Sequence, residues 1–206
     1  MNVGILGGTG DFGRALATRL RVAGYDVTIG SRDAARAEST AAELRVRGAA
    51  NADVARQADL VILAVSADAA LPTAQSLARF IGSTPLLSVA SELRFADGAA
   101  RPSAPGASLA ERVAEAVPGP VSAGLHSLAA RTLARAEPPD EDAFVCGDDA
   151  GAKELVLELA GTLVAGRALD AGPLASARAL EGMTAVIVNL NRRYRGHAGI
   201  RVTGLR

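Results

Sequence analysis

The chain has 206 residues, with 22 Lys+Arg against 22 Asp+Glu, a length suited to one domain of about 125–150 residues plus a smaller piece. Balanced charge offers no net field for nucleic acid or an anionic membrane, and a single cysteine excludes an internal disulfide framework or a zinc cluster. No apolar run is long enough to span a bilayer and Met1 leads straight into a strand, so a cytoplasmic protein is expected.

Asn2–Leu6 reads as a short buried strand and runs into Gly7-Gly8-Thr9-Gly10-Asp11-Phe12-Gly13, where Gly8, Gly10 and Gly13 make a G-x-G-x-x-G spacing. An amphipathic helix follows, with Leu16, Leu20 and Ala23 on one face and Gly24 at its end. The spacing has a mechanical basis. Gly8 permits a tight turn, Gly10 lets backbone approach a pyrophosphate, and Gly13 lets the helix lie close to the strand. Helix-start N–H groups then face the anion. A strand, this motif and a helix in that order point to a dinucleotide-binding unit.

The second strand, residues 26–29, leads into Gly30-Ser31-Arg32. An NAD-binding unit usually places an acidic residue at this strand end for the ribose 2′-hydroxyl. Here Gly30 and Ser31 stand in its place, with Arg32 next and Arg36 one helical turn on. Planar guanidinium forks suit a 2′-phosphate, which favours NADP over NAD. Two arginines on a solvated helix are the plainer alternative.

Residues 34–47 have helix-forming composition, and Asn51–Gln57 reads as a short helix before the continuous apolar run 59–65, which suits a central parallel strand. Residues 66–71 open the next crossover and 85–89 form another strand. Residues 93–107 read as irregular, with Pro102 and Pro105 inside. A helix over 107–117, a strand over 121–125 ending at His126, an extended 143–146 and a helix over 151–164 follow. Residues 169–173 read as a turn. Residues 174–194 read as one long helix, apolar nearly all round (Leu180, Met183, Val186, Ile187, Leu190) and therefore buried in its own chain or against a partner subunit.

Ligands of doubly wound sheets bind at the carboxyl ends of strands. Besides the first two strands, three ends fall there: Val65-Ser66-Ala67, Ser88-Val89-Ala90 and Leu125-His126-Ser127. His126 suits either orienting a ligand carbonyl or pinning the strand end. Cys146 reads as structural. No Ser-His-Asp arrangement, metal-ligand spacing or Lys base stands out in the sequence. Hydride transfer between two bound cofactors is a reaction that positioning can largely drive. With 3% aromatic residues and no Trp, planar ligands must be held by aliphatic side chains, backbone and a second cofactor ring.

The chain resembles the NADPH-dependent reductases of coenzyme F-420, also called F-420-dependent NADP oxidoreductases. The resemblance rests on residues 7–13, Gly30-Ser31-Arg32 with Arg36, Val145-Cys146-Gly147-Asp148-Asp149, residues 169–174, and the tail 191–205. It implies an α/β fold with a Rossmann-type, doubly wound parallel sheet: an NADP-binding domain over 1–145 and a small C-terminal segment over 146–206 holding the long helix. It also implies reversible hydride transfer between NADP(H) and an 8-hydroxy-5-deazaflavin that lies against the nicotinamide.

By carry-over, Thr9, Gly10, Asp11 and Phe12, within the Gly8–Gly13 loop, hold the pyrophosphate, and Ser31, Arg32 and Arg36 hold the 2′-phosphate. The deazaflavin is expected beside Val65, Ser66, Ala67, Ser88 and Val89, with its polar edge meeting backbone N–H groups there or His126. Two departures border that crevice: the family usually has Pro-Trp where this chain has Ser66-Ala67, and a proline-containing loop where it has Ser88-Val89-Ala90-Ser91. Another flavin, a quinone or a ferric acceptor, or a non-catalytic NADP(H) sensor, stays open beside F-420. A homodimer through the long helix is expected, and no nucleic-acid or membrane partner.

Overall fold

The computed structural model describes residues 1–103 and 106–205. Strand β1 (Asn2–Leu6) enters helix α1 (Asp11–Val22) through the glycine loop, and β2 (Asp26–Ser31) leads to α2 (Ala34–Leu44). Then come β3 (Arg47–Ala50), α3 (Asn51–Gln57), β4 (Leu60–Leu63), α4 (Ala67–Ile81) and β5 (Leu86–Ser88). A hairpin of β6 (Leu93–Ala96) and β7 (Ala99–Pro102) precedes α5 (Leu109–Ala116), β8 (Val121–Gly124) and a single-turn α6 (Ala130–Leu133). The chain closes with β9 (Ala143–Gly147), α7 (Ala150–Gly161), β10 (Ala168–Asp170), a 3-10 turn (Leu174–Ser176), α8 (Ala177–Tyr194) and an extended tail.

Eight strands form one sheet in the order β10-β9-β8-β5-β4-β1-β2-β3, all parallel except that β9 runs antiparallel to β8. Helices cover both faces. Leu16, Leu20, Val156 and Leu159, from α1 and α7, pack on one side; Val54, Ala74, Leu77, Val113 and Leu180, from α3, α4, α5 and α8, pack on the other. This is why β4, Leu-Val-Ile-Leu, is apolar at every position: it is buried from both sides. From β1 the chain steps outward to β2 and β3, then returns to β4 on the other flank. That reversal opens a crevice at the carboxyl ends of β1 and β4. No helix among the described residues is long and apolar enough to cross a membrane.

Several expectations need correction. The helix expected over 34–47 ends at Leu44, because Arg45 takes a left-handed conformation (φ 57°) and releases the chain into β3. The stretch expected to be irregular forms the β6–β7 hairpin, closed by Asp97 and Gly98 at φ 51° and 75°, the positive pair that a two-residue hairpin turn needs. Pro105, expected within that stretch, lies outside the described residues. The turn expected at 169–173 begins as a strand, since β10 pairs with β9. The long helix is not apolar all round: Leu180, Ala185 and Ile187 are buried, whereas Arg178, Val186 and Leu190 face outward. The boundary expected between 145 and 146 falls inside β9, and the sheet continues into β10.

Candidate functional site

The loop between β1 and α1 is shaped by what glycine permits. Gly7 sits at φ 79°, and a Cβ there would lie 2.5 Å from Val65 Cγ1, so the loop is packed against the end of β4. A Cβ at Gly8 would meet Ile29 Cβ at 2.5 Å, and one at Gly13 would meet Gly8 Cα at 2.6 Å. Both glycines are therefore required by the fold. Gly10 differs: its nearest neighbour to an added Cβ is Gly7 O at 3.6 Å, an ordinary contact. The chain leaves open space there, on the side from which a pyrophosphate can approach backbone.

Gly10 is also the N-cap of α1, and no side chain caps that helix start. The first N–H groups of the helix remain available to an anion. Thr9 is half-buried beside them and Asp11 is exposed. The Phe12 side chain packs against the core, so only its backbone can serve the site. The residues present fit a dinucleotide pyrophosphate.

Beyond the loop, Gly8 N–H donates to Gly30 O at 3.1 Å, tying the cradle to the end of β2. Ser31 and Arg32 there form one wall of a cleft of about 600 Å³, whose opposite wall is α4 with Asp68, Thr73 and Ser76. Asp33 pairs with neither guanidinium: its carboxylate accepts from the backbone N–H of Arg36 at 3.3 Å and caps α2. Arg32 and Arg36 are exposed, and among the described residues neither side chain has a hydrogen bond or ion pair. Arg32 lines the cleft; Arg36 stands one turn into α2, off its wall.

Sequence reasoning missed Asn51, Asp68, Thr73 and Ser76. The first followed from missing β3, whose end pairs Ala50 with Ser31 and so delivers Asn51 to the same edge. Asp68 is fully exposed, and the Ser66 hydroxyl beside it holds its carboxyl below the usual range.

The acceptor side of the crevice follows the next strand ends. Val65, packed beside Gly7, and Ser66, the N-cap, lie between β4 and α4, whose first residue is Ala67. Ser88 closes β5, hydrogen-bonded in register between Leu63 of β4 and Ala123 of β8, and Val89 follows half-buried. Ser88 is completely buried, with its hydroxyl unpaired among the described residues, so it sits beneath the crevice. Leu125, at φ 65°, turns the chain so that His126 folds inward. His126 is only 5% exposed, both ring nitrogens lack a partner among the described residues, and burial pushes its pKa down to about 4. Nearby Ala90 backbone offsets this slightly without forming a hydrogen bond of normal geometry.

The imidazole is therefore neutral near pH 7, and neither nitrogen is reachable from solvent. Its carbonyl accepts from the Thr184 hydroxyl at 2.8 Å, and Thr184 and Ser91 hydroxyls are 2.7 Å apart, linking α8 to this edge. Ser127 turns away, donating to Asp142 O at 3.3 Å. Cys146 is buried, and burial raises its thiol to about 11, which makes it inert near neutral pH.

Comparison with known proteins agrees with this geometry. Residues 2–91 match the family described as NADP oxidoreductase, coenzyme F-420-dependent. The chain is 36% identical to an F-420-dependent NADP reductase of Methanothermobacter marburgensis over 228 aligned positions, covering 100% of this chain and 99% of the relative. It is 32% identical to one from Methanocaldococcus jannaschii, covering 100% of this chain and 99% of the relative. A crystal structure of a putative F-420-dependent NADP reductase from Arthrobacter sp. FB24 superposes with a TM-score of 0.86 at 27% identity, covering 99% of this chain and 100% of that one. With full-length relatives at this identity and the same fold, the chain belongs to the coenzyme F-420-dependent NADP oxidoreductase family.

Proposed function

We propose that the chain transfers a hydride reversibly between NADP(H) and the deazaflavin coenzyme F-420. The observation that carries this reading is an uncapped helix start open to an anion at Gly10, set beside a cleft whose wall holds the unpaired Arg32. Relatives named for this pair of cofactors support it. When bound, the nicotinamide supplies or accepts the hydride and the deazaflavin exchanges it at a ring carbon.

The residues of the chain position the two rings. Backbone N–H groups at Asp11, Phe12 and Gly13 hold the pyrophosphate, and Ser31, Arg32 and Arg36 hold the 2′-phosphate. Val65, Ala67 and Val89 exclude water where the rings meet. His126, neutral, serves the carbonyl edge of the acceptor if the loop at Ala90 shifts to expose it; otherwise it holds the strand end. No proton need be delivered to the carbon that receives hydride, in keeping with a site that does its work by orientation.

Mixing the chain with NADPH and F-420 while following deazaflavin absorbance tests the reading. Bleaching is expected. No bleaching under conditions where NADPH demonstrably binds contradicts it. The same reading places the chain in the cytoplasm and pairs it through α8. There Gly182, Met183 and Val186, the last 56% exposed, line an open apolar groove of about 670 Å³. A second copy would cover this face. Light scattering at micromolar concentration should give twice the monomer mass, and a monomer mass contradicts pairing.

A further inference from the structure

Among the residues that no carried-over motif assigns, Asn51 stands apart. It is the first residue of α3, delivered to the cleft by β3, and it is 8% exposed. Its Oδ1 is buried without a partner and is turned toward Gly30, occupying the space that any Cβ at residue 30 would need. Its Nδ2 also makes no hydrogen bond among the described residues, but it is not shut off from solvent as Oδ1 is. A nine-tenths buried amide thus presents a free donor to the cleft that Ser31 and Arg32 line.

Packing of the buried Oδ1 against Gly30 fixes the orientation of the amide, so Nδ2 is the atom left to donate to a ligand's acceptor. The position is also chemically telling. In NAD-binding units a carboxylate at the end of the second strand accepts from the ribose 2′-hydroxyl. Here the strand end is Gly30-Ser31, and the side chain packed on Gly30 is a neutral amide from the neighbouring strand's exit. An amide N–H can donate to phosphate oxygen, whereas a carboxylate there would repel it.

Resting on the NADP reading above, we infer that Asn51 is a specificity-determining residue for the 2′-phosphorylated ribose. Its Nδ2 donates to the 2′-phosphate between the Ser31 hydroxyl and the Arg32 guanidinium. Gly30 is required so that the amide can lie close enough to do so. Asp68 on the opposite wall carries the cleft's negative charge, and it makes the donor side at Asn51 and Arg32 the side on which the phosphate settles.

The test is calorimetric binding of two probes, 2′,5′-ADP and 5′-AMP, to the wild-type chain and to the variants Asn51→Ala, Asn51→Ser and Asn51→Asp. All variants are first checked for wild-type melting. Asn51→Ala is expected to weaken 2′,5′-ADP at least about 10-fold, as for loss of one hydrogen bond to a charged group, and to leave 5′-AMP within about 2-fold. Asn51→Asp should weaken 2′,5′-ADP further still, and Asn51→Ser, which keeps a donor, should restore part of the loss. Equal weakening of both probes overturns the inference, because Asn51 then only shapes the adenosine pocket. So does no change in either. If the wild-type chain itself binds 2′,5′-ADP no tighter than 5′-AMP, the NADP reading has failed, and the inference with it. A variant that melts early is set aside in favour of the others, since Asp matches Asn in size and Ser is smaller.

Discussion

At the β2 end of the sheet, Arg32 and Arg36 face solvent with no carboxylate partner among the described residues. At the β9 end, Asp142 is fully buried and every oxygen is engaged. Its Oδ1 accepts from Arg167 N–H at 2.8 Å, and its Oδ2 accepts from Val202 N–H at 2.8 Å and Arg167 Nη2 at 3.1 Å. Its own N–H donates to Ile200 O at 2.7 Å, so Asp142 ties the tail to the sheet at two points, Ile200 and Val202. Those donors hold its carboxyl down to about 2. Charge satisfied from within the chain stabilises the fold, while the unpaired charge at the β2 end is free for the 2′-phosphate proposed above. Arg19 makes the same point without an acid: buried in α1, it donates to the carbonyls of Leu133 and Ala136 at 3.1 Å, closing the end of α6.

If this division holds, mutations in the two regions should separate stability from binding. The largest effect is expected from Asp142→Ala, which leaves Arg167 and two backbone donors uncompensated. Arg167 is 40% exposed and can be hydrated, so the cost falls mainly on the two orphaned backbone donors, about 1–3 kcal/mol each, and melting should fall by on the order of 10 °C for a chain of this size. NADPH affinity of the folded fraction should not change. A variant with wild-type melting would remove the contrast.

Arg32→Ala should do the reverse. Loss of a charge-assisted hydrogen bond of about 1.5–3 kcal/mol should raise the KM for NADPH roughly 10- to 150-fold, with little change in kcat and none in melting temperature. Equal use of NADH and NADPH by the wild-type chain would contradict this.

A glycine pair sharpens the comparison within one loop. Gly13→Ala forces its Cβ into Gly8 Cα at 2.6 Å and should cost about 1–3 kcal/mol of stability. Gly10→Ala, at φ −81° with open space, should change stability by no more than about 0.5 kcal/mol and yet weaken NADPH binding. Thermal melts and NADPH titrations of both variants decide it.

The smallest effect concerns pH. The unfolded His126 takes up a proton at its ordinary 6.5, but the folded one does so only near 4. The unfolded state therefore binds more protons as pH falls below 6.5, and stability declines with falling pH across that window. Between pH 6.5 and 5 this amounts to about 1–2 kcal/mol. Asp142 acts in a separate window: its contribution is present above its unfolded value near 4 and is lost as pH falls toward 2. Denaturant melts of His126→Asn should show a flatter decline from pH 6.5 to 5. An unchanged decline would mean that His126 is not the group responsible. The turnover of the same variant with F-420 separates its two possible roles: reduced kcat at unchanged NADPH affinity supports contact with the acceptor, and full turnover leaves His126 a strand-end residue.

Much of the nucleotide half was legible in the sequence because local rules decide it. The glycine spacing, the buried strand before it and the Gly30-Ser31-Arg32 exit each depend on neighbours only a few residues away. The four residues of β3, Arg-Gly-Ala-Ala, carry no apolar pattern and are strand only because β2 pairs with them, so Asn51 was read as a helix start but not as a neighbour of the β2 end. The β6–β7 hairpin was missed: Asp97-Gly98 carries its turn signal, but Pro102 and Pro105 just beyond made the stretch read as irregular. The burial of Ser88 and His126 depends on how β5, β8 and α8 converge, which no single stretch of sequence encodes.

The central claim, direct hydride transfer, can be tested by isotope. Reduction of F-420 in ordinary water by NADPH carrying deuterium at both C4 positions should place one deuterium on the deazaflavin ring carbon, where a carbon-bound hydrogen does not wash out. Mass spectrometry of the product should find that single label in nearly every molecule. An unlabelled reduced deazaflavin, or none at all, would contradict the account.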